Sequence, residues 1–195
     1  MGGAGMSAAL GVPWGERFFV VCSDVHGSAK AWRRLEAYLG GASFLLHCGD
    51  LFYHGPRNPL PEGYDPKGLG ELVRSAPVPV VLVRGNCDAP VDQLMSSPRV
   101  MVDRFAFWWD RLTGIAAHGD DFSSFRQEAL AGGFRLALSG HTHVASVVRE
   151  GDTVFVNPGS LSLPKGKDPA SFGVVASSAV FIVNLDGEVI HSEPL

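Results

Sequence analysis

Five short apolar runs in this chain each end in an aspartate, asparagine or histidine. They are Val20–His26, Ser43–Asp50, Val80–Asn86, Gly114–Gly119 and Leu136–His143. Such runs predict buried strands, and a glycine near the end of a run lets the backbone turn closely. Open α/β sheets place their ligands at the carboxyl ends of the strands. We therefore expect the polar side chains at these five ends to converge.

Length and composition predict one main domain. The chain has 195 residues, 46% of them hydrophobic, which is enough to bury a sizeable core. Residues 1–15 are rich in Gly and Ala, and we predict a flexible leader there and a single domain over residues 16–195. The leader lacks the basic start of a secretory signal. No apolar stretch approaches the ~20 residues that span a membrane.

Charge and cysteine content limit the classes of binding partner and the cellular compartment that we expect. The net charge is −4, and Lys and Arg form no run longer than Arg33-Arg34. This argues against binding to extended nucleic acid and leaves a nucleotide substrate open. Three cysteines, Cys22, Cys48 and Cys87, lie on or just after predicted buried strands. An odd number in such places favours a reducing cytoplasm without disulfide bonds.

Periodicity gives the order of the elements. Helices are predicted at about Ala29–Leu39, Lys67–Ser75, Pro90–Met95 and Ser123–Ala131, the third capped by Asp88 or Ala89. Parallel β-α units come first, and a hairpin in the apolar stretch from Val100 is where we expect a second sheet to begin. Antiparallel strands then run to about Ser192. The predicted fold class is α/β, with two packed sheets flanked by helices.

The donor types at the five strand ends suit a pair of divalent metal ions. Carboxylate, imidazole and amide oxygen ligands favour Mn, Fe, Zn, Co or Ni over a thiolate-rich structural site. Two neighbouring ions need a shared carboxylate, which Asp50 can supply. Spacing makes the other assignments plausible without fixing them: Asp24, His26 and His143 for one ion, and Asn86, His118 and His141 for the other. We expect Asp24-x-His26 and His141-x-His143 to be presented on turns.

These segments together resemble the calcineurin-like metallophosphoesterase superfamily. The matching motifs are Asp24-x-His26, Gly49-Asp50, Gly85-Asn86-x-Asp88, a strand-end His118 and Gly140-His141-x-His143. Within it, the chain looks most like small bacterial manganese-dependent phosphodiesterases, through His54–Asn58, Leu60–Tyr64, Arg84–Asp88 and Asn157–Ser160. The resemblance implies a four-layer α-β-β-α sandwich of two mixed sheets, a dinuclear centre with the ligands above, and Mn²⁺ as the preferred ion. It also implies a small phosphodiester substrate, which could be nucleotide-derived, and leaves a homodimer or homotetramer open.

The metal pair sets the predicted chemistry. Two cations about 3.5–4 Å apart can hold a bridging water, lower its pKa and clamp phosphoryl oxygens. We therefore predict in-line attack of a metal-bridging hydroxide on phosphorus, with Asn86 as both a ligand and a contact to phosphate. The runners-up are hydrolysis of phosphomonoesters, phosphoproteins or pyrophosphate, and a protein-binding scaffold on the same fold without catalysis.

Further residues have a functional and a structural interpretation. His54 and Arg57, in the long loop after Asp50, would bind phosphate or stabilise the loop. Asp88 would orient a water or leaving group, or cap a helix. Cys87 replaces the histidine that many superfamily members carry as a general acid, so it would affect proton donation or simply fill space. His47 is predicted to be a buried, hydrogen-bonded side chain, and Trp108-Trp109 to belong to the core or a subunit interface.

Overall fold

The computed structural model describes residues 17–195, and these form two β-sheets with helices outside them. The predicted leader, residues 1–15, lies outside this range, and its division from a single domain stays a prediction. The helices are α1 (Ala29–Glu36), α2 (Pro66–Ser75), α3 (Asp92–Ser96) and α4 (Phe122–Ala131). Among the described residues, no helix has the length and apolar character that crossing a bilayer requires.

Twelve strands are present within residues 17–195. They are β1 (Phe18–Cys22), β2 (Leu45–His47), β3 (Val80–Val83), β4 (Met101–Val102), β5 (Phe105–Trp109), β6 (Leu112–Ala116), β7 (Leu136–Leu138), β8 (Ala145–Glu150), β9 (Thr153–Pro158), β10 (Ser171–Ala176), β11 (Ala179–Asn184) and β12 (Val189–Pro194). The first sheet has the order β12-β11-β10-β1-β2-β3-β4, and the second has the order β5-β6-β7-β9-β8. Strands β1 to β4 run parallel, as do β6, β7 and β9, and antiparallel strands flank both sets.

Three apolar layers hold the sandwich together. Trp32 of α1 and Leu69 of α2 pack on the outer face of the first sheet. Between the sheets, the Phe19 ring lies 4.5 Å from Phe44 and 5.0 Å from Trp109, centroid to centroid. On the far side, Phe125 of α4 packs on the second sheet. Helix, sheet, sheet and helix follow one another, so the predicted four-layer α-β-β-α fold is confirmed.

Local chemistry explains where the longer helices begin. Ser28 accepts a hydrogen bond from the Ala31 N–H at the start of α1, and Asp65 accepts one from Gly68 at the start of α2. Pro66 then occupies the first turn, where its missing N–H costs nothing. Asp121 caps α4 through Ser124. These side chains satisfy N–H groups that no helical carbonyl reaches.

Four predictions of detail were wrong. Helix α1 ends at Glu36, because Leu39 N–H bonds the Glu36 carbonyl in a tighter turn. Strand β4 pairs parallel with β3, so the second sheet begins at β5. That sheet has a parallel centre, and the last three strands join the first sheet. Neither Asp88 nor Ala89 caps α3: Val91 precedes it without a capping bond.

Candidate metal centre

Five of the seven predicted ligands sit in sharp turns with left-handed backbone. The φ angles are 54° at Asp24, 49° at His26, 60° at Asp50, 68° at His141 and 60° at His143. Each of these turns follows a parallel strand, β1, β2 or β7. Left-handed backbone reverses the chain within one residue, so neighbouring turns can aim side chains at one point. The expectation that both histidine-containing pairs lie on turns is confirmed.

One set of ligand atoms comes from Asp24, His26 and His143. The two Nε2 atoms of the histidines lie 3.1 Å apart, and they lie 3.7 Å (His26) and 3.3 Å (His143) from Asp24 Oδ1. All three residues are buried. Ligand atoms held at 2.0–2.2 Å from one ion stand roughly 3–3.5 Å from each other. The set therefore has the dimensions of one coordination shell.

The second set comes from Asn86, His118 and His141. Asn86 Oδ1 lies 3.0 Å from His118 Nε2 and 2.8 Å from His141 Nδ1, and these two nitrogens are 3.2 Å apart. Asp50 Oδ2 lies 3.5 Å from His118 Nε2 and 3.8 Å from His26 Nε2, so it faces both sets. The structure thus brings all seven predicted ligands together and puts Asp50 between them.

The protonation pattern of the histidines fits cations. The Nδ1 atoms of His26, His118 and His143 each meet a backbone carbonyl, at 2.7 to 2.8 Å. A carbonyl only accepts, so Nδ1 carries the proton and, in the neutral ring, Nε2 presents a lone pair. Lone pairs of His26 and His143 then face each other beside Asp24 Oδ1, which is buried without a hydrogen-bond partner among the described residues. Converging acceptors of this kind are stabilised by a metal ion.

Electrostatics in the cluster also attract positive charge. Burial opposes protonation of His118, but the Asp50 carboxylate outweighs it and raises the pKa of His118 to about 9. Burial alone would raise the pKa of Asp24, but the adjacent His143 and His26 hold it well below its ordinary value. The carboxylates are therefore ionised at neutral pH, as ligands must be.

Asp88 supports the centre from beneath. Its carboxylate accepts N–H bonds from Asp50, Leu51 and Gly85, each at 2.8 Å. Burial raises its pKa to about 6. A Cβ on Gly85 would lie 2.1 Å from Asp50 Oδ1, so only glycine allows the two turns to meet this closely. These contacts indicate that Asp88 holds the Asp50 turn in place. Asp88 is not among the residues that line the cavity over the centre.

The segment Ser160–Lys165 supports the centre from the other side. Ser160 Oγ donates to the Asp24 carbonyl at 2.7 Å, and Ser162 Oγ donates to that of Val25 at 2.8 Å. The Leu163 carbonyl accepts from His143 Nδ1, and Lys165 N–H bonds the His143 carbonyl. Sequence reasoning matched Asn157–Ser160 to a motif but assigned it no role. Only the fold shows that this segment joins both histidine-containing turns.

An open cavity of about 740 Å³ lies over the centre. Arg57 and Cys87 line it. Tyr53, Asn58, Thr142 and Lys165 also line it, and sequence reasoning gave them no role, because Asn58 and Thr142 only fill places inside motifs and Tyr53 and Lys165 belong to none. Burial and the charge of Asp50 raise the pKa of Cys87 to about 12. The His54 ring packs against Tyr53 and Tyr64 and is not among the lining residues. His47 is buried and accepts from Gly49 N–H, as predicted.

The fold and the site together define the class of protein. A two-sheet sandwich with two sets of carboxylate, imidazole and amide ligands at its strand ends is the architecture of a metallophosphoesterase. A model of the calcineurin-like phosphoesterase superfamily domain matches residues 18–179. The chain belongs to that superfamily, which confirms the resemblance read from the motifs.

Comparisons with individual proteins agree. The chain is 36% identical over 173 residues to phosphodiesterase YfcE of Escherichia coli K12, covering 88% of this chain and 94% of the relative. The structure of E. coli YfcE, described as a phosphoesterase, matches with a TM-score of 0.82 and 33% identity, over 90% of this chain and 98% of that chain. Vacuolar protein sorting 29 from Cryptosporidium parvum matches with a TM-score of 0.65 at 18% identity, over 92% and 98%, which shows a shared fold alone.

Proposed function

We propose that this protein is a metal-dependent phosphodiesterase that hydrolyses small phosphodiesters at a two-ion centre. One observation carries the proposal: two sets of ligand atoms converge on separate points and share Asp50 Oδ2. The similarity to phosphodiesterase YfcE supports the same activity. We expect Mn²⁺ to be the preferred ion, because carboxylate, imidazole and amide ligands are mixed here without a thiolate.

The residues of the chain have separable tasks in this reaction. When bound, two divalent ions acidify a water molecule and offset charge on the phosphoryl group. Asp24, Asp50, Asn86 and the four histidines would hold those ions. Asn86 is exposed and lines the cavity, which supports a contact between its amide nitrogen and a phosphate oxygen. The open cavity leaves room for both ester groups of a small substrate.

A reducing, cytoplasmic location is part of the proposal. Cys22, Cys48 and Cys87 are all free, and the first two are buried. A protein without disulfides that needs divalent ions suits a reducing compartment.

The experiment is metal analysis together with hydrolysis of bis(p-nitrophenyl) phosphate by wild type and Asp50→Asn. We expect metal-stimulated turnover in wild type, with Mn²⁺ the best activator at equal occupancy. Asp50→Asn removes the shared negative charge while its amide oxygen can still accept the Cys87 N–H. It should therefore fold but lose ~100-fold or more activity, above the effect typical of outer-shell partners.

Asp152→Asn is the matched control, since Asp152 is an exposed turn aspartate that belongs to neither ligand set and does not line the cavity. It should behave as wild type. If Asp50→Asn keeps two ions per chain and near-normal turnover, the shared role of Asp50 is wrong. If wild type binds no metal and shows no metal-stimulated turnover of diesters, monoesters or pyrophosphate, the scaffold alternative stands instead.

A further inference from the structure

We propose that Arg57 and Lys165 form a subsite for a second anionic group of the substrate, separate from the phosphodiester that is cleaved. This inference rests on the proposed function and names a substrate class within it: phosphodiesters that carry a further phosphate or carboxylate. Both cationic side chains line the cavity above the metal centre. They reach it from different segments, Arg57 from the long loop after β2 and Lys165 from the segment after β9.

Arg57 and Lys165 belong to the half of the sixteen Lys and Arg side chains that form no ion pair with an acidic residue within residues 17–195. Eight Lys and Arg side chains in the described part of the chain form ion pairs with Asp or Glu: Arg17, Lys30, Arg34, Arg84, Arg104, Arg126, Arg135 and Arg149. Among the described residues, no acidic side chain pairs with Arg57 or Lys165. Asp50 is the only acidic residue among those that line the cavity, and its carboxylate faces the histidines. Of the unpaired Lys and Arg side chains that the structure describes, these two line the cavity, where a ligand can reach them.

The expected charge balance favours a ligand with more than one negative charge. Two divalent ions would neutralise the carboxylates of the centre and bind the singly charged diester. Arg57 and Lys165 would then remain uncompensated beside them. A second phosphate or carboxylate offsets these charges, and the planar guanidinium can bind two of its oxygens together. An exposed aromatic ring, Tyr53, lies in the same lining and can contact an apolar part of the ligand.

Neither side chain is needed for folding. Both residues are exposed, and Lys165 supports the centre through its backbone N–H, which bonds the His143 carbonyl. A substitution at the side chain leaves that bond in place. Lys167 offers a matched control, because it has the same charge and lies two residues away, but is not among the residues that line the cavity.

The test compares two substrates that differ by one phosphate: thymidine 5′-(p-nitrophenyl phosphate) with and without a 3′-phosphate. We expect wild type to prefer the doubly anionic substrate by ~10-fold in kcat/KM, since each charge-assisted contact contributes about one factor of ten at most in a solvated site. Lys165→Gln and Arg57→Gln should each remove most of this preference. Lys167→Gln should keep it. Raised salt should weaken the preference in wild type, because the subsite is solvated.

Binding provides a readout that does not depend on turnover. Calorimetric titration of the metal-loaded protein with thymidine 3′,5′-bisphosphate and thymidine 5′-phosphate should show the same preference in Kd, absent from the Arg57→Gln/Lys165→Gln double variant. Equal kcat/KM and equal Kd for the two members of each pair would overturn the subsite, as would a preference that the double variant retains. If no diester is hydrolysed, the proposed function fails, while a Kd preference lost in the double variant would still support an anion subsite.

Discussion

Five of the seven predicted ligands hold a backbone conformation that residues with a Cβ seldom adopt. Such a residue costs about 1 kcal/mol or more, and Asp and His tolerate it better than branched side chains do. The structure over-determines each turn with hydrogen bonds: Asp24 N–H bonds the Gly49 carbonyl, and His26 N–H bonds that of Asp50. These hydrogen bonds offset the strain, and the turns orient the side chains without a bound ion.

At Cys87 we expect a change in leaving-group preference. Cys87 lines the cavity beside the ligand Asn86, and its thiol has a raised pKa, whereas an ordinary histidine with pKa ~6.5 can donate a proton at neutral pH. Cys87→His should raise turnover of diesters with poor leaving groups by ~10-fold or more, at the low end of general-acid effects. Rates are measured for aryl and alkyl diesters at matched metal content.

A packing role for Cys87 makes a different forecast. A Cβ added at Gly55 would lie only 3.0 Å from Cys87 Sγ, so the thiol packs closely against Gly55. Cys87→Ser, which has a similar size, therefore serves as the control. An unchanged dependence of the rate on leaving-group pKa in Cys87→His would exclude a proton-donating position.

His47 should make the protein less stable in acid. Burial lowers its pKa to about 3 in the folded state, whereas the unfolded chain binds the proton near pKa 6.5. Its contribution to stability is therefore complete above about pH 6.5 and declines as the pH falls towards 3. Between pH 7 and pH 5 the loss amounts to about 2 kcal/mol.

His47→Asn isolates this effect, because Asn Oδ1 can accept the Gly49 N–H that Nδ1 accepts now. Urea unfolding in EDTA at several pH values compares the two proteins. The free energy of unfolding of the variant should fall less steeply with acid. Parallel curves for both proteins would show that His47 is not the group responsible.

At the scale of elements, the site depends on segments that carry no ligand. Ser160 has no exposed surface, and its hydroxyl donates to the Asp24 carbonyl while accepting from Leu163 N–H at 2.8 Å. The Leu163 carbonyl in turn accepts from Nδ1 of His143, a predicted ligand. One hydroxyl thus links the turn after β1 to the turn after β7.

Ser160→Ala should lower metal affinity by ~10-fold, as is common for outer-shell partners. Competition with a chromogenic chelator measures the affinity without recourse to activity. Ser171→Ala is the matched control, because this hydroxyl is equally buried but bonds the Pro158 carbonyl. Both variants should lose some stability, since a buried partner is left unpaired. Equal metal affinity in the two would mean that Ser160 only stabilises the fold.

At the scale of the whole molecule, each of the two predicted ligand sets contains residues from both sheets. Asp24 and His26 follow a strand of the first sheet, and their partner His143 follows a strand of the second. Asn86 follows the first sheet, and its partners His118 and His141 follow the second. Ions bound there would connect the sheets in addition to the apolar layer between them, which contains Phe19.

Removal of metal should therefore lower thermal stability. An ion at a free concentration of 100 times its Kd raises the free energy of unfolding by about 2.7 kcal/mol. For a chain of this length that corresponds to a Tm about 5–10 °C higher. Calorimetry in Mn²⁺ and in EDTA at equal ionic strength measures the shift, and Asp50→Asn should show little of it. An identical Tm in both buffers would contradict a metal centre that joins the sheets.

The sequence by itself determined the strand ends and the chemistry placed on them. Short apolar runs are local, and the ligand types at their ends are visible in them, so the seven candidate ligands could be named before any fold was known. Their division between two ions came from the family resemblance, because spacing alone made it only plausible. Helix starts such as Asp65-Pro66 are also local, because a cap involves residues three apart.

Tertiary structure alone decided the rest. Strand β4 could join either sheet by its own composition, and pairing with β3 settled it. The roles of Asp88 and Ser160 depend on hydrogen bonds to turns 38 and 136 residues away, which no local pattern records. Lys165 and Tyr53 reach the cavity only because separate loops meet there. Packing determines which distant residues meet, whereas the side-chain types at each strand end can be read from consecutive residues.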